Sequence, residues 1–412
     1  MATEFHSTDG LVSALAGASF DRPPAVVSNA HYTGLGVARA LAAHDVPVIA
    51  LDRNGDGLAP SSDAVEFAGR IAYPLEDPDG FRADLEAVVE AAGTEVVAFP
   101  CMDEWVHAYA GSAPDGVRRP FSGPEGIARV LDKESLYATC EELGVPYPET
   151  YRLSEVEPAE AADRLGFPLV IKPARKREFE EAVGTNVIEV EDDEELAAVV
   201  ATAEAADVRI MAQRRVDVVG GRDCSLASYV PPSGVEDALA VVGNARVRNP
   251  LSFGTSCLVE RTDRPTVERR ALAVLAETGY HGISEAEFVY DADREEYLLL
   301  DINTRPWKWI SMPVAAGVNL PMAAYASVTG ASYEPDPLRE ARWLSVRDYL
   351  DVLATEGIGD LLTPAEWRSL ADGSFEREAG GLTTAVYRPS DPAPTADLIA
   401  AEFGDVEYYC AC

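Results

Sequence analysis

Lysine, long apolar runs and closely spaced cysteines are what this chain of 412 residues lacks. It has only 34 basic residues against 70 acidic ones, which gives a net charge of −36. Nucleic acids and anionic membranes bind basic surfaces, so neither is an expected partner. No apolar run approaches the ~20 residues that span a bilayer, so no membrane-spanning helix is predicted.

The shortage of lysine is informative in itself. Only Lys133, Lys172, Lys176 and Lys308 occur, and the other 30 basic residues are arginine. A large net charge spread along a chain destabilises the compact state through self-repulsion. At ~1 M salt the Debye length falls to about 3 Å, which screens most of that repulsion. We therefore expect a halophilic, cytoplasmic protein, and an acidic protein of an ordinary cytosol is the less favoured alternative.

The cysteines and the termini give weaker signals. The six cysteines are scattered and include no CxxC pair, which predicts free thiols in a reducing compartment. Cys410 and Cys412 could bind a metal ion, but a frayed terminus is the favoured interpretation. The N-terminus lacks the basic-then-apolar pattern of a secretory signal.

Residues 1–121 are predicted to form a Rossmann-like α/β domain. Residues 24–52 have the pattern strand, loop, helix and strand, and a second unit ends in a strand from Glu95 to Phe99. This alternation predicts a parallel sheet that binds ligands at the carboxyl ends of its strands. Gly34 and Gly36 either cradle an anion at a helix start or form a simple tight turn. The full GxGxxG fingerprint is missing, so no dinucleotide site is predicted.

Residues 122–330 are predicted to form an α+β catalytic domain. A helix from Asp132 to Leu143 is followed by several runs of β-forming residues, a helix from Thr266 to Thr278 and a hairpin from Glu285 to Asn303. Residues 331–412 are predicted to form a small C-terminal accessory region.

The strongest chemical signal lies in this hairpin, EAEFVYDADREEYLLLDIN, and in the TRPWKW segment that continues it. Strand side chains alternate, so Asp301 and Asn303 share one face, and a five-residue turn would set Glu287 opposite Asp301. Opposed carboxylates with Cβ atoms roughly 5 Å apart repel unless a cation lies between them. Two carboxylates and an amide oxygen suit Mg²⁺ shared with nucleotide phosphates. A solvated acidic edge is the alternative, but it gives no reason for Arg305 to follow.

Two of the lysines supply the second signal. Lys172 lies in the apolar strand from Leu169 to Pro173, where an unpaired ammonium is costly and a phosphate oxygen is a suitable partner. A salt bridge to a nearby acid is the alternative for this residue. Lys133 follows Asp132 at a helix start, a position that suits phosphate binding and also suits an ordinary surface lysine.

These segments, in this order, resemble the ATP-grasp superfamily, particularly its carboxylate–amine ligases. The resemblance covers about residues 120 to 330 and a preceding α/β domain of the kind that this family carries. The landmarks are Asp132-Lys133, Gly144 to Pro148, Val170 to Pro173, Gln213 to Val216, Gly220 to Asp223, Glu285 to Phe288 and Asp301 to Arg305. No single landmark is specific, but their order and spacing are those of the family.

The resemblance implies an ATP- and Mg²⁺-dependent ligase, with Mn²⁺ as an alternative metal, acting on a small-molecule carboxylate and an amine. Lys133 and Lys172 would hold the ATP phosphates, and Asp223 would accept the ribose hydroxyls. The backbone of a hinge strand would meet the adenine, and its residues are Gln213, Arg214, Arg215 and Val216.

The resemblance also implies the metal and catalytic residues. Glu287, Asp301 and Asn303 would bind the metal ion. Arg305 would steady the transferred phosphoryl group or the acyl phosphate, and with Lys172 it completes the predicted catalytic pair.

The chain departs from the family pattern at three places. Asp301 stands where the family more often has Glu, and Arg214 stands where the hinge usually has an acid. The phosphate-covering loop, often rich in glycine, reads RKREFE at residues 175–180. Its basic side chains could replace backbone N–H groups as phosphate ligands, and a salt-bridged surface turn is the alternative.

Two further functions stay open on the sequence. A bicarbonate-activating carboxylase or carbamoyl-phosphate-type enzyme would share the same nucleotide site, although nothing here resembles a biotin carrier. A non-catalytic nucleotide-binding protein would be expected to lose metal ligands that this chain keeps. Arg246, Arg248 and Arg305 are candidates for binding an acidic substrate, and a homodimer is the default oligomer.

Overall fold

The computed structural model describes residues 3–174, 187–251, 254–377 and 381–403. Within these ranges the chain forms three β-sheets: a parallel sheet, a small antiparallel sheet and a large mixed sheet. The predicted fold class, an α/β domain followed by an ATP-grasp-like α+β region, is confirmed. The RKREFE segment and the Cys410/Cys412 pair lie outside the described residues.

The first sheet has six parallel strands. In spatial order they are Phe5–His6, Phe67–Arg70, Val48–Asp52, Ala25–Ser28, Val96–Pro100 and Val117–Arg118. The helices of this part are Thr8–Ala16, Tyr32–Ala42, Pro78–Ala92 and Asp103–Ser112. The carboxyl ends of parallel strands meet at one edge, so Ser28, Asp52 and Pro100 mark the edge where such sheets bind ligands.

The alternative of a simple tight turn at Gly34 and Gly36 is wrong, whereas an anion at the start of the helix that contains them stays a prediction. Both lie inside the helix Tyr32–Ala42. A Cβ atom on Gly34 would lie 2.8 Å from the carbonyl oxygen of Asn29, and one on Gly36 would lie 2.7 Å from Ile310 Cγ2. The glycines therefore let this helix pack closely against the preceding loop and against the segment that follows the hairpin.

Two helices, Pro124–Leu131 and Lys133–Leu143, lead towards the small sheet. The second begins where it does because Asp132 Oδ1 accepts hydrogen bonds from two backbone N–H groups of the first turn, at 3.1 and 3.2 Å. It ends at Gly144, whose φ of 63° lies in the left-handed region that glycine adopts readily.

The small sheet is antiparallel. Its strands, in spatial order, are Thr150–Arg152, Ile210–Arg214, Leu169–Pro173 and Ile188–Val190, and its helices are Pro158–Leu165 and Asp193–Ala205. Leu169, Ile171 and Ala212 pack in a cluster with side chains of the two helices. Since strand side chains alternate, Lys172 and Gln213 lie on the opposite face.

The large sheet has seven strands. In spatial order they are Glu296–Asn303, Gly282–Asp291, Asp223–Val230, Leu239–Asn249, Thr255–Arg261, Ala341–Leu344 and Gly381–Thr384. The remaining helices are Pro265–Thr278, Ser311–Ala315, Leu320–Thr329, Val346–Thr355, Pro364–Asp372 and Ala393–Phe403, with short 3₁₀ turns at Val235–Asp237 and Ser374–Arg377. Because this sheet crosses the boundary predicted at residue 330, the accessory region contributes two strands to it, and the division into three domains stays a prediction.

Asp391 joins the C-terminal region to the first sheet. Its Oδ2 accepts hydrogen bonds from Arg39 Nε at 2.9 Å, Arg39 Nη2 at 2.8 Å and Ser62 Oγ at 2.6 Å. Its Oδ1 accepts a hydrogen bond from the Asp63 backbone N–H at 3.1 Å. Both Arg39 and Asp391 are buried, so this junction, which we call the Asp391 junction, is a closed ion pair between the two ends of the chain.

Candidate active site

The register of the hairpin brings the predicted metal ligands together. Asp291 pairs with Glu296, so the turn has four residues rather than the predicted five. A β-bulge at Leu300 then shifts the register by one residue and sets Glu287 opposite Asp301. The predicted pairing is confirmed, but the bulge rather than the turn produces it.

Three carboxylates and one amide gather at this end of the hairpin. Asn303 Nδ2 donates hydrogen bonds to Glu287 Oε1 at 2.8 Å and to Glu285 Oε2 at 3.1 Å. Glu285 is only 5% exposed. Burial, together with the charge of Glu287, raises the pKa of Glu285 above its usual value. The face therefore gathers acidic side chains and their negative charge where little water reaches them, and the raised pKa favours the protonated form of Glu285.

Lys133 neutralises part of this charge. Its Nζ lies 2.5 Å from Asp301 Oδ2, and its side chain is 8% exposed. The backbone N–H of Lys133 donates to the carbonyl of Ala174, directly after the Lys172 strand, at 3.0 Å. The surface-residue alternative for Lys133 is thus wrong, because the lysine is buried between the two sheets and contacts a predicted metal ligand.

Lys172 and Gln213 lie on the face of the small sheet that is turned towards the hairpin. Gln213 Nε2 donates to Tyr137 Oη at 3.2 Å, and Tyr137 Oη donates to the carbonyl of Leu300 at 2.9 Å. Lys172 pairs in register with Met211, two residues before Gln213. The two predicted phosphate lysines and the hairpin carboxylates therefore border one space between the small and the large sheet.

The predicted hinge is only partly a strand. The strand ends at Arg214, whose backbone N–H donates to the carbonyl of Glu149 at 2.8 Å, so this N–H is engaged within the sheet. The Arg215 side chain pairs with Glu189 at 2.8 Å, and Val216 follows outside the strand. Gln213 is buried and uses its side chain within the protein. Contact between this segment and adenine stays a prediction.

Asp223 begins the strand beside the one that carries Glu287. Its Oδ2 accepts a hydrogen bond from Arg248 Nε at 3.0 Å, and its buried Oδ1 has no hydrogen-bond partner within the described ranges. Burial raises the pKa of Asp223 above its usual value, although the Arg248 guanidinium opposes this. A buried oxygen without a partner is what a donor such as a ligand hydroxyl would satisfy, so the predicted ribose contact stays open.

Arg305 connects the hairpin to the first sheet. Its Nε donates to Asp103 Oδ1 at 2.6 Å, and its Nη1 donates to the carbonyl of Pro306 at 3.1 Å. Asp103 begins the helix that follows the strand Val96–Pro100, at the ligand-binding edge of that sheet. The site is therefore bounded by all three sheets, and Arg305 stands between the metal-ligand set and the first sheet.

Sequence reasoning missed two of the residues that shape this site. Glu285 precedes Glu287 by two positions and shares its face of the strand, a spacing that could have identified it. Asp103 lies 202 residues from Arg305 in sequence, and no local signal could have paired them. Arg248, considered only as a contact for an acidic substrate, instead pairs with Asp223.

The donor set fits a hard divalent cation. Two carboxylates that face each other across paired strands, with an amide hydrogen-bonded to Glu287, offer the oxygen ligands that Mg²⁺ prefers. The assignment of the Asn303 oxygen and nitrogen follows from the hydrogen-bond network, and a flipped amide would present its oxygen to the carboxylates. In the part of the chain that the structure describes, no group of three or more His, Cys, Asp or Glu side chains is arranged to hold a metal ion, so a nucleotide phosphate would have to complete the site.

The chain has relatives among known proteins, although no protein-family model matches it. It is 26% identical over 288 residues to a D-alanine–D-alanine ligase of Stutzerimonas stutzeri, which covers 66% of this chain and 79% of the ligase. It is 23% identical over 222 residues to the C-terminal section of the carbamoyl phosphate synthase large chain of Methanopyrus kandleri, which covers 51% of this chain but only 39% of that protein. The chain thus spans well under two thirds of the synthase section.

The fold is similar to that of N5-carboxyaminoimidazole synthetase from Staphylococcus aureus. The TM-score is 0.59 at 14% sequence identity, over 82% of this chain and 86% of the synthetase, which has also been solved in complex with ADP. In sequence and in fold, the similarity is to ATP-grasp proteins.

The predicted resemblance to the ATP-grasp superfamily and the predicted fold class are therefore confirmed, and the predicted ligase class agrees with the names of the relatives. No helix in the described ranges is both long enough and apolar enough to cross a membrane. Four cysteines, Cys101, Cys140, Cys224 and Cys257, are buried and form no disulfide, as predicted. The individual roles of the site residues stay predictions.

Proposed function

We propose that this ATP-grasp chain is an ATP- and Mg²⁺-dependent, ADP-forming ligase that activates a small carboxylate as an acyl phosphate and joins it to an amine. The observation that carries the proposal is the convergence of Lys133, the Lys172 face and the Glu287/Asp301/Asn303 set on one space between two sheets. The lysines of this space would bind the negatively charged phosphate oxygens of a nucleotide. The carboxylates and the amide would bind the metal ion that accompanies the phosphates.

The chemistry needs positioning and charge neutralisation more than it needs a protein nucleophile. An oxygen of the substrate carboxylate attacks the γ-phosphorus of ATP, ADP leaves, and an acyl phosphate forms. The neutral amine then attacks the carbonyl carbon and loses a proton to solvent, inorganic phosphate leaves, and a C–N bond replaces the C–O bond to the phosphate. No Ser/His/Asp arrangement is required for either step.

The residues of the site would divide this work. Lys133 and Lys172 bind phosphate oxygens, and Asp223 accepts a ribose hydroxyl through the oxygen that has no partner in the described ranges. Arg305, held by Asp103, stabilises negative charge on the acyl phosphate.

A bound Mg²⁺ would be held by Glu287, Asp301 and Asn303, with Mn²⁺ as an alternative, and would neutralise charge on the transferred phosphoryl group. Binding would require Lys133 to exchange its contact with Asp301 for a phosphate oxygen. We also propose that the enzyme works in a salt-rich cytoplasm, since a net charge of −36 is best tolerated there, and that it forms a homodimer.

The alternative of a bicarbonate-activating enzyme draws support from the similarity to a carbamoyl phosphate synthase section. Such an enzyme would share the nucleotide site and would activate bicarbonate in place of an organic carboxylate. The identity of the activated carboxylate therefore distinguishes the two candidate functions, and ATP binding does not.

The test is trapping of the acyl phosphate with hydroxylamine. The purified protein is incubated with ATP, Mg²⁺, hydroxylamine and pools of amino acids and small metabolite acids at near-molar KCl. We expect ADP, phosphate and a hydroxamate that depends on one carboxylate, and we expect their loss in Lys172→Ala and Asp301→Ala. ADP formation that depends on bicarbonate alone would favour the alternative. A folded protein that binds no ATP would contradict both.

A further inference from the structure

A cleft of about 460 Å³ lies between the helix Pro364–Asp372 and the large sheet. Its sheet side is formed at the strands Thr255–Arg261, Ala341–Leu344 and Gly381–Thr384. Cavities of this size hold small organic ligands in many proteins. The nearest of these strands is three strand spacings, or about 14 Å, from the strand that carries Glu287. The cleft is therefore distinct from the proposed metal site.

The cleft is lined by charges of both signs beside small apolar groups. Its charged residues are Glu260, Arg261, Glu340, Arg342 and Glu366, and its apolar ones include Ala341 and Leu382. A ligand with only a negative charge would meet three carboxylates, and one with only a positive charge would meet two guanidinium groups. The lining therefore suits a small molecule that carries both charges and an apolar part.

Arg261 offers the cationic contact. Its side chain is 13% exposed and pairs with Asp263 Oδ1 at 2.5 Å and with Glu340 Oε1 at 2.9 Å. The side chains of these two acids are 76% and 84% exposed. Ion pairs with such solvated partners contribute little to stability. A ligand carboxylate could therefore replace one of them on the guanidinium at small cost.

Glu260 offers the anionic contact. Its Oε1 accepts a hydrogen bond from Arg246 Nη1 at 2.5 Å. Its Oε2 makes no hydrogen bond within the described ranges, because Arg342 Nε, at 3.8 Å, is too far away. The side chain is 28% exposed and borders the cleft, so this oxygen is an acceptor that a ligand ammonium could use.

The row of side chains around Glu260 is incompletely paired on both sides. In register, Glu260 lies between Asn244 on one strand and Arg342 on the other. Asn244 Oδ1 and Arg342 Nε are buried, and neither has a hydrogen-bond partner in the part of the chain that the structure describes. Since native proteins pair nearly all buried polar atoms, this row favours a bound polar molecule beside Glu260.

We propose that this cleft is a second binding site, separate from the nucleotide site, for a small zwitterion of the α-amino acid class. The ligand carboxylate binds Arg261 in place of Glu340, and the ammonium donates a hydrogen bond to Glu260 Oε2. The ligand side chain lies against Ala341 and Leu382. The proposed ligase function is not required for this binding, because no residue of the cleft belongs to the proposed nucleotide or metal set.

The test measures the melting temperature of the full chain with each protein amino acid, at fixed ionic strength and without nucleotide. Acetate and ethylamine, which each carry only one of the two charges, are the control ligands. We expect at least one amino acid to raise the melting temperature further than either control does. In Arg261→Gln and in Glu260→Gln we expect that amino acid to bind roughly tenfold more weakly or worse, with the shift caused by AMPPNP and Mg²⁺ retained.

Arg269→Gln is the matched control, because Arg269 is exposed on the helix Pro265–Thr278 and does not line the cleft. It should keep both the amino acid shift and the nucleotide shift. Arg261→Gln should fold, since the ion pairs that it removes are with exposed partners.

The absence of any amino acid shift in the wild type would overturn the inference and leave water to complete the row around Glu260. A full amino acid shift in either neutral variant would also overturn it, because the ligand would then bind elsewhere, for example at the proposed ligase site. Loss of the nucleotide shift together with the amino acid shift would show that the two sites are not separate. A wild type with an amino acid shift but without any AMPPNP·Mg shift would contradict only the proposed function.

Discussion

The Asp391 junction and the acidic face of the large sheet both bury carboxylates, but they satisfy them to different degrees. At the junction, Asp391 accepts three hydrogen bonds on one oxygen and one on the other, from Arg39, Ser62 and the Asp63 backbone. On the active-site face, one oxygen of Asp223 has no partner in the described ranges, and Glu285 accepts a single bond from an amide.

This difference distinguishes a buried carboxylate that stabilises the fold from buried carboxylates that are candidates for ligand binding. Native proteins pair nearly all buried polar groups, so a fully satisfied carboxylate is explained by the fold alone. A cluster of under-satisfied buried oxygens is explained better by a ligand that completes it. Lys133 and Asp301 are intermediate between these two cases. They form an ion pair with each other, and a metal-bound phosphate could replace that pair by binding the lysine through the phosphate and the carboxylate through the metal.

The largest expected effect is that of a substitution at the active site. Lys172→Met should lower the rate of acyl-phosphate formation about 1,000-fold, which corresponds to about 4 kcal/mol of transition-state stabilisation. Its free energy of unfolding should change far less than that. Hydroxamate formation and urea denaturation measure the two quantities, with Arg164→Met, on an exposed helix of the small sheet, as the control. A variant that is destabilised in proportion to its lost activity would assign Lys172 to the fold.

Asp391→Asn should lower the free energy of unfolding and leave activity unchanged, which is the reverse of the effect expected for Lys172→Met. Loss of the carboxylate leaves Arg39 buried beside a neutral amide, which should cost about 3 kcal/mol of unfolding free energy. Activity per folded molecule should be unchanged, because the junction lies outside the site. Asp397→Asn, at an exposed position in the helix that follows Asp391, should be close to neutral. Loss of activity in folded Asp391→Asn would mean that the junction controls the site.

Asp223→Asn should weaken nucleotide binding about tenfold, or about 1.4 kcal/mol, because the amide retains shape but loses a charged acceptor for the ribose. The measurement is the dissociation constant of ATP with Mg²⁺. Asp237→Asn, in an exposed 3₁₀ turn, is the control. Unchanged affinity would remove Asp223 from the nucleotide site and leave it as the partner of Arg248.

The smallest expected effect is the pH dependence of the junction. Burial by itself would raise the pKa of Asp391, but the hydrogen bond from Ser62 and the Arg39 guanidinium hold it below its usual value. The folded state therefore binds the proton less well than the unfolded state. The stability from this group is present above about pH 4 and is lost as the pH falls through the lowered pKa. The difference in unfolding free energy between the wild type and Asp391→Asn should therefore become smaller as the pH falls through the lowered pKa. A difference that stays constant down to pH 2 would contradict this.

Much of the fold could be predicted because its signals are local. The strand Leu169–Pro173 and the helix Lys133–Leu143 follow from apolar pattern and capping residues. The hairpin register was predicted correctly for the wrong reason, since a bulge at Leu300 compensated for a shorter turn. A bulge depends on tertiary contacts such as the hydrogen bond from Tyr137, which alternation along one strand cannot reveal.

The site could be predicted only in part for the same reason. Glu287, Asp301 and Asn303 lie within one hairpin and were found from their spacing. The pairs that define the environment, such as Asp103 with Arg305 and Arg39 with Asp391, join residues separated by 202 and 352 positions. The contribution of the C-terminal region to the large sheet likewise depends on long-range pairing.

The most direct test of the distinction between the two regions is calorimetric titration of AMPPNP with Mg²⁺ into the wild type, Lys172→Met and Asp391→Asn at near-molar KCl. We expect the wild type and Asp391→Asn to bind with the same affinity, and Lys172→Met to bind at least roughly tenfold more weakly. Equal weakening in both variants, or no binding by the folded wild type, would contradict the claim that the nucleotide site lies between the small sheet and the under-satisfied face of the large sheet.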